Sequence, residues 1–243
     1  MAAEYSLFES LGVVKEYKYL AASIFTGSIL VATGFYVRSK AYKLASGDAL
    51  PEPKFSVFNL MVEVLQYFRK LLKGMIGHDS DRYLGIIATT FVLIFLSNFM
   101  GIFPGLLSST SSLNNNLAMG LFVFASYQYF GFREHGIGYL KQFMGGMPVK
   151  NSGALMFVMT LGIGLFLFCL EIFSHTLRPA TLSLRLWGVI NGDHTLVQVV
   201  GGMVPLFVPI LALGLGLIVC LVQALVFTLL SSVYIQMAVS HDH

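Results

Sequence analysis

Long apolar runs separated by short polar ones dominate the chain, and the run lengths set the first expectation. A helix crossing the hydrocarbon core needs about 20 mostly apolar residues. Runs over 20–37 and 84–104 fit that length, and a shorter one over 117–132 is bounded by polar residues on both sides. From 153 the chain stays apolar to about 200, although four charged residues interrupt it; 204–239 then follows with no charge at all. These patterns predict an all-α membrane protein with five membrane-inserted helices in a single domain over 1–243. The last two segments exceed a perpendicular span, since a helix rises ~1.5 Å per residue. They are expected to be long, tilted and paired as an antiparallel hairpin. Pro179 is the expected bend, and Gly201, Gly202 and Pro205 mark the turn.

The stretch 55–76 has a different rhythm. Phe58, Leu60, Met61, Val64, Leu65, Phe68, Leu71, Leu72 and Met75 recur at helical spacing, with Glu63, Arg69, Lys70 and Lys73 among them. That pattern predicts an amphipathic helix lying on the cytoplasmic membrane face. Orientation follows from Lys and Arg in short loops. Arg38, Lys40, Lys43, Lys54, Arg69, Lys70, Lys73 and Arg82 lie between the first two spans, and Arg133, Lys141 and Lys150 between the third and fourth. The 108–116 loop has none. The N-terminus is therefore expected outside and the C-terminus in the cytoplasm.

Composition agrees with the run pattern. Of 243 residues, 56% are hydrophobic and 11% charged, with a mean hydropathy of +0.76; soluble domains carry about 25% charged residues. A net charge of +3 gives no ground for a nucleic-acid partner. Glu4 and Glu9 come early and a basic start is missing, so no secretory leader is expected. Cys169 and Cys220 sit in apolar runs and read as buried free thiols. Gly162/Gly164 and Gly214/Gly216 read as helix-packing positions, not nucleotide loops. His241-Asp-His243 reads as a solvated tail. With no P-loop and no zinc spacing, neither cofactor nor metal is expected.

The informative stretch is the one that breaks its own pattern. A charge at mid-membrane costs about 2.5–3.5 kcal/mol on insertion scales, yet 153–200 carries Glu171, Arg178, Arg185 and Asp193, with His175 and His194. Glu171, Arg178 and Arg185 are spaced by sevens, which returns nearly the same helix face. Glu171 and His175 are four apart and can touch. Titratable groups thus flank an arginine that cannot lose its proton. Glu and His can pass protons and line wet cavities, whereas an unpaired arginine between them repels cations and blocks a continuous leak. A carboxyl facing lipid must be neutral, but beside Arg185 it is favoured ionised. Since this chain has no carboxylate free to travel between the flanks, the moving acid must belong to another subunit. Counted from the expected turn, Gln223 should lie at the depth of Arg185, where its amide oxygen could hold the guanidinium.

Four motifs resemble one family. Residues 174–188 (SHTLRPATLSLRLWG), 222–230 (VQALVFTLL), 95–104 (FLSNFMGIFP) and 109–117 (STSSLNNNL) are similar to signatures of subunit a of F-type ATP synthases. The likeness runs from about Phe55 to the C-terminus. It implies a non-catalytic stator channel subunit of bacterial type, in the plasma membrane, with two offset half-channels. Its implied partners are the rotor ring of c subunits, the b-subunit peripheral stalk and the lipid bilayer. By the same resemblance Arg185 matches the essential arginine facing the ring, and Gln223 its glutamine neighbour. Glu171 matches a carboxylate of the cytoplasmic half-channel, His194 the titratable position of the outer one, and Asn114 the asparagine of the outer loop. The chain departs from the family pattern at Val189, Ser112 and Gly216, where the family has Asn, Asp, and Glu or His. Water near Gly216, or Asp193, is the expected substitute for the last. A self-contained transporter or channel is the alternative reading, but no inverted internal repeat supports it.

Overall fold

The computed structural model describes residues 17–45, 56–77, 80–103, 106–136, 154–201 and 208–239. These form six α-helices: α1 (Lys18–Ala45), α2 (Val57–Ile76), α3 (Asp81–Met100), α4 (Leu113–His135), α5 (Ala154–Gly201) and α6 (Val208–Val239), with one 3-10 turn at Ser109–Ser111. No strand occurs among the described residues. In lipid every backbone N–H and C=O must find its partner within the protein, and a helix does this without neighbours. Gly77 and Gly136 end α2 and α4 at positive φ, each returning its N–H to a carbonyl of the last turn (Lys73 and Phe132); a side chain would strain that backbone.

Four stretches are long and apolar enough to cross a membrane: Lys18–Ala41, Asp81–Met100, Gly162–Leu196 and Gly214–Val239. The sequence pattern counts five inserted segments. The fifth falls in α4, which has 23 residues but is diluted by Asn114, Asn115, Asn116, Gln128, Arg133 and Glu134. Pro179 lies inside α5, which runs unbroken through it for 48 residues. The predicted 201–205 turn, the N-terminal 1–16 segment and the 241–243 tail fall wholly or largely outside the described residues.

The core lies among α3, α4, α5 and α6. Ile87 and Ile94 of α3, Val123 and Tyr127 of α4, Leu182 and Leu186 of α5, and Ala224 and Phe227 of α6 form one buried cluster. The amphipathic α2 contributes Phe68 and Leu72 to it and leaves Leu60 and Tyr67 exposed. Two contacts pin α2 in place. Arg69 makes a bidentate pair with Asp81 at the start of α3, at 2.8 and 2.7 Å. The hydrogen bond and the charge of Asp81 raise the Arg69 pKa above its ordinary value. Six residues on, near the C-terminus of α2, the Met75 carbonyl accepts a hydrogen bond from Gln236 of α6 at 3.0 Å. Helix α1 is held more loosely, through Asn115, which donates to Ser23 Oγ at 2.8 Å, and through Thr26 beside Met100. Cys220 is buried as the pattern predicts, whereas Cys169 lies on an exposed face of α5.

Candidate functional site

Helix α5 carries the charged stripe, and one close approach fixes where it sits. Gly120 of α4 lies so near α5 that a Cβ there would fall 2.5 Å from Ser183 Oγ and 2.7 Å from the Pro179 carbonyl. With no side chain between them, the single Ser183 hydroxyl proton is shared between the Asn116 carbonyl at 2.9 Å and that of Pro179 at 2.7 Å. This contact turns Leu182, Leu186 and Ile190 into the core. Arg185, about a third of a helical turn from that face, is exposed.

Arg185 makes no hydrogen bond or ion pair among the described residues. Leu184, Trp187 and Val189 are exposed near it on α5, and Leu215, Ile218, Leu221 and Val222 are exposed on α6. Helices α5 and α6 pack on each other. Gln223 of α6 is buried, and its Nε2 has no hydrogen-bond partner among the described residues. The expected hydrogen bond between Gln223 and Arg185 is absent, because the amide lies on the core face of α6 while the guanidinium leaves the core face of α5.

On one flank of Arg185 the protonatable groups touch. His175 Nε2 lies 3.2 Å from Glu171 Oε1, and His175 Nδ1 lies 3.2 Å from the Tyr127 hydroxyl. Glu171 is about half exposed and His175 mostly buried. Arg178, seven residues from Glu171, does not pair with it. Its guanidinium lies 5.1 Å over the ring of Tyr234 on α6, a cation–π contact that holds the charge without neutralising a carboxylate. Tyr127 and Tyr234 were invisible to spacing within α5, because they come from α4 and α6.

The other flank is built differently. Asp193 and His194 are half-buried and neither forms a hydrogen bond among the described residues. Asp193 Oδ2 lies 3.4 Å from where a Cβ on Gly216 would sit. The carboxylate therefore fills space that a side chain at 216 would take. Deeper in the bundle at this flank is a polar cluster. Thr110 Oγ1 donates to Asn98 Oδ1 at 2.6 Å, Asn116 Nδ2 to the Thr110 carbonyl at 2.7 Å, and Ser108 Oγ to the Ser97 carbonyl at 2.9 Å. Asn191 of α5 reaches the Ser111 carbonyl at 3.4 Å. Ser97 Oγ, Asn98 Nδ2, Ser109 Oγ and Asn116 Oδ1 are buried with no partner among the described residues.

Among the three consecutive asparagines, Asn114 is exposed, Asn115 is bonded to α1 and Asn116 is fully buried. Successive helical residues point ~100° apart, and only Asn116 shares the face of Gly120 and Val123. That i, i+4, i+7 spacing was the available signal. An apolar cleft of about 260 Å³ between α1, α2 and α3 touches none of these groups.

Comparison with known proteins agrees with the motifs. A family described as "ATP synthase A chain" matches residues 20–236. The chain is 37% identical to "ATP synthase subunit a" of Bdellovibrio bacteriovorus over 235 residues, covering 96% of each. It is 35% identical to the protein of that name from a Sulfurihydrogenibium species, over 79% of this chain and 85% of the relative. Against that of Geobacter sulfurreducens it is 32% identical over 82% of each.

Proposed function

The chain belongs to the ATP synthase subunit a family, and from that premise we propose that Arg185 divides two offset half-channels serving a rotor of carboxylate-bearing subunits. As a family member it is the ion-translocating stator subunit of the membrane sector, working as part of a larger complex. In the reading offered here it performs no bond chemistry itself and couples proton flow to rotation.

The observation that carries the proposal is Arg185, exposed among the exposed apolar side chains of α5 and without a partner among the described residues. A guanidinium on such a surface needs a counter-charge from outside the chain. The rotor ring of c subunits supplies it. A rotor carboxyl facing lipid is protonated, because low dielectric penalises its charge. Arriving at Arg185 it is stabilised as the anion, so its proton leaves into one half-channel. Onward rotation brings it to the other half-channel, where it is protonated again before re-entering lipid. Arg185 cannot lose its proton, so it repels a proton passing directly between the half-channels.

By the loop-charge rule, α5 runs from the cytoplasm outward. Glu171 and His175 then belong to the cytoplasmic half-channel. Asp193 and His194 belong to the outer one, with Asp193 taking the place of the ionisable group missing at Gly216. The buried polar atoms around Asn98 and Asn116 suit a hydrated inlet, since buried polar groups without protein partners bind water; Asn114 lies at its mouth. The peripheral stalk of b subunits holds the assembly stationary, and a bacterial inner membrane is its location.

Arg185→Ala in the assembled synthase tests this. ATP-driven acidification of inverted vesicles is expected to vanish while the stator and rotor subunits still copurify. A variant that assembles and pumps at the normal rate would overturn the proposal.

A further inference from the structure

We infer that Tyr127 is a positioning residue of the cytoplasmic half-channel: it fixes the His175 ring so that Nε2 is held against Glu171. The inference rests on the half-channel reading above and adds a residue from α4 to it.

The geometry is a three-membered chain across two helices. Tyr127 is among the largest fully buried side chains in the protein. A buried phenol needs a partner for its hydroxyl. The Tyr127 hydroxyl lies 3.2 Å from His175 Nδ1, and Nε2 of the same ring lies 3.2 Å from Glu171 Oε1. An ionised carboxylate only accepts hydrogen bonds, so the neutral ring places its proton on Nε2. Nδ1 is then the acceptor, and the tyrosine O–H donates to it. When the ring gains a second proton, Nδ1–H donates and the phenol oxygen accepts, because a tyrosine hydroxyl can serve either way. Tyr127 therefore keeps the ring aligned in both protonation states, as a proton-passing group requires.

Packing holds the phenol itself. Its ring meets Phe124 edge-on at 5.3 Å and Tyr234 of α6 at 6.0 Å. Tyr234 carries the Arg178 guanidinium on its face. The described titratable and charged groups around His175 include Glu171 and Arg178 on its own helix, Tyr127 from α4 and Tyr234 from α6. Among them only Tyr127 reaches Nδ1 at a described hydrogen-bond distance.

Tyr127→Phe keeps the ring and removes the hydroxyl. In the assembled synthase it is expected to slow ATP-driven proton pumping about three- to tenfold, the scale of one lost buried hydrogen bond, and to displace its pH profile. Combined with His175→Ala, which takes away the ring, Tyr127→Phe should cause no further loss. An unchanged rate and profile in Tyr127→Phe would overturn the inference. So would an equal fold loss in the His175→Ala background, which would mark a purely structural role. If Tyr127→Phe fails to assemble, Tyr127→3-fluorotyrosine keeps the shape and makes the hydroxyl more acidic. A displaced profile then supports the inference and an unchanged one overturns it. Failure of the half-channel reading itself looks different: pumping would survive Arg185→Ala.

Discussion

The two flanks of Arg185 are built in opposite ways. Toward Glu171, one carboxylate, one imidazole and one phenol make direct contact across α4 and α5. Toward Asp193, the titratable groups stand apart, and the polar atoms deeper in the bundle outnumber their protein partners. A path made of touching side chains is sensitive to each of its members. A path completed by water tolerates the loss of one, because solvent can bridge the gap. The difference also follows from packing. Phe124, Tyr127 and Tyr234 fill the first flank with aromatic volume, whereas the second is lined by Gly216, Ser109, Thr110 and the asparagines.

The change expected to matter most removes both flanks at once. In Gly120→Val the new side chain must displace the α5 backbone at Pro179, only 2.7 Å from its Cβ. Overpacking of this kind costs ~1–3 kcal/mol and more when backbone is in the way. Immunoblots of membranes should show little of this chain, and normal levels would mean that the α4–α5 contact is not what sets the stripe.

A paired comparison comes next. Glu171→Gln should lower pumping roughly tenfold or more, as loss of a positioned acid–base group does. Asp193→Asn should cost only a few-fold, with His194 and water remaining. Initial rates of vesicle acidification measure both, and equal losses would break the contrast. The smallest effect is expected from Gly216→Ala. Its Cβ would meet Asp193 Oδ2 at 3.4 Å, an ordinary contact, so the rate should stay within about twofold. A severe defect there would show that the space beside Asp193 must stay open.

The helical class and the charged stripe were legible in the sequence for one reason: apolar runs make charges conspicuous. Glu171 and His175 could be paired from their spacing alone, and they do touch. The partners of that pair could not be read, because Tyr127 and Tyr234 look like two more aromatics in aromatic-rich helices. Packing of α4 and α6 against α5 brings them in. The same limit applied to Gln223. Its depth along α6 followed from counting residues, but its rotation about the axis did not, and rotation decides that it faces the core rather than Arg185. Asn114 was chosen by motif, yet the buried member of its triplet is Asn116, two positions on and past half a turn of helix.

Helix α2 has a mechanical meaning. It is clipped to the start of α3 by Arg69 and to the far end of α6 by Gln236, with Phe68 and Leu72 wedged between. Three rods joined at separate points make a triangulated frame, which resists shear better than a parallel pair. Under the proposed function, a ring turning against α5 and α6 would drag on them sideways. The amphipathic helix would then act as a brace, tying the far end of α6 to the start of α3.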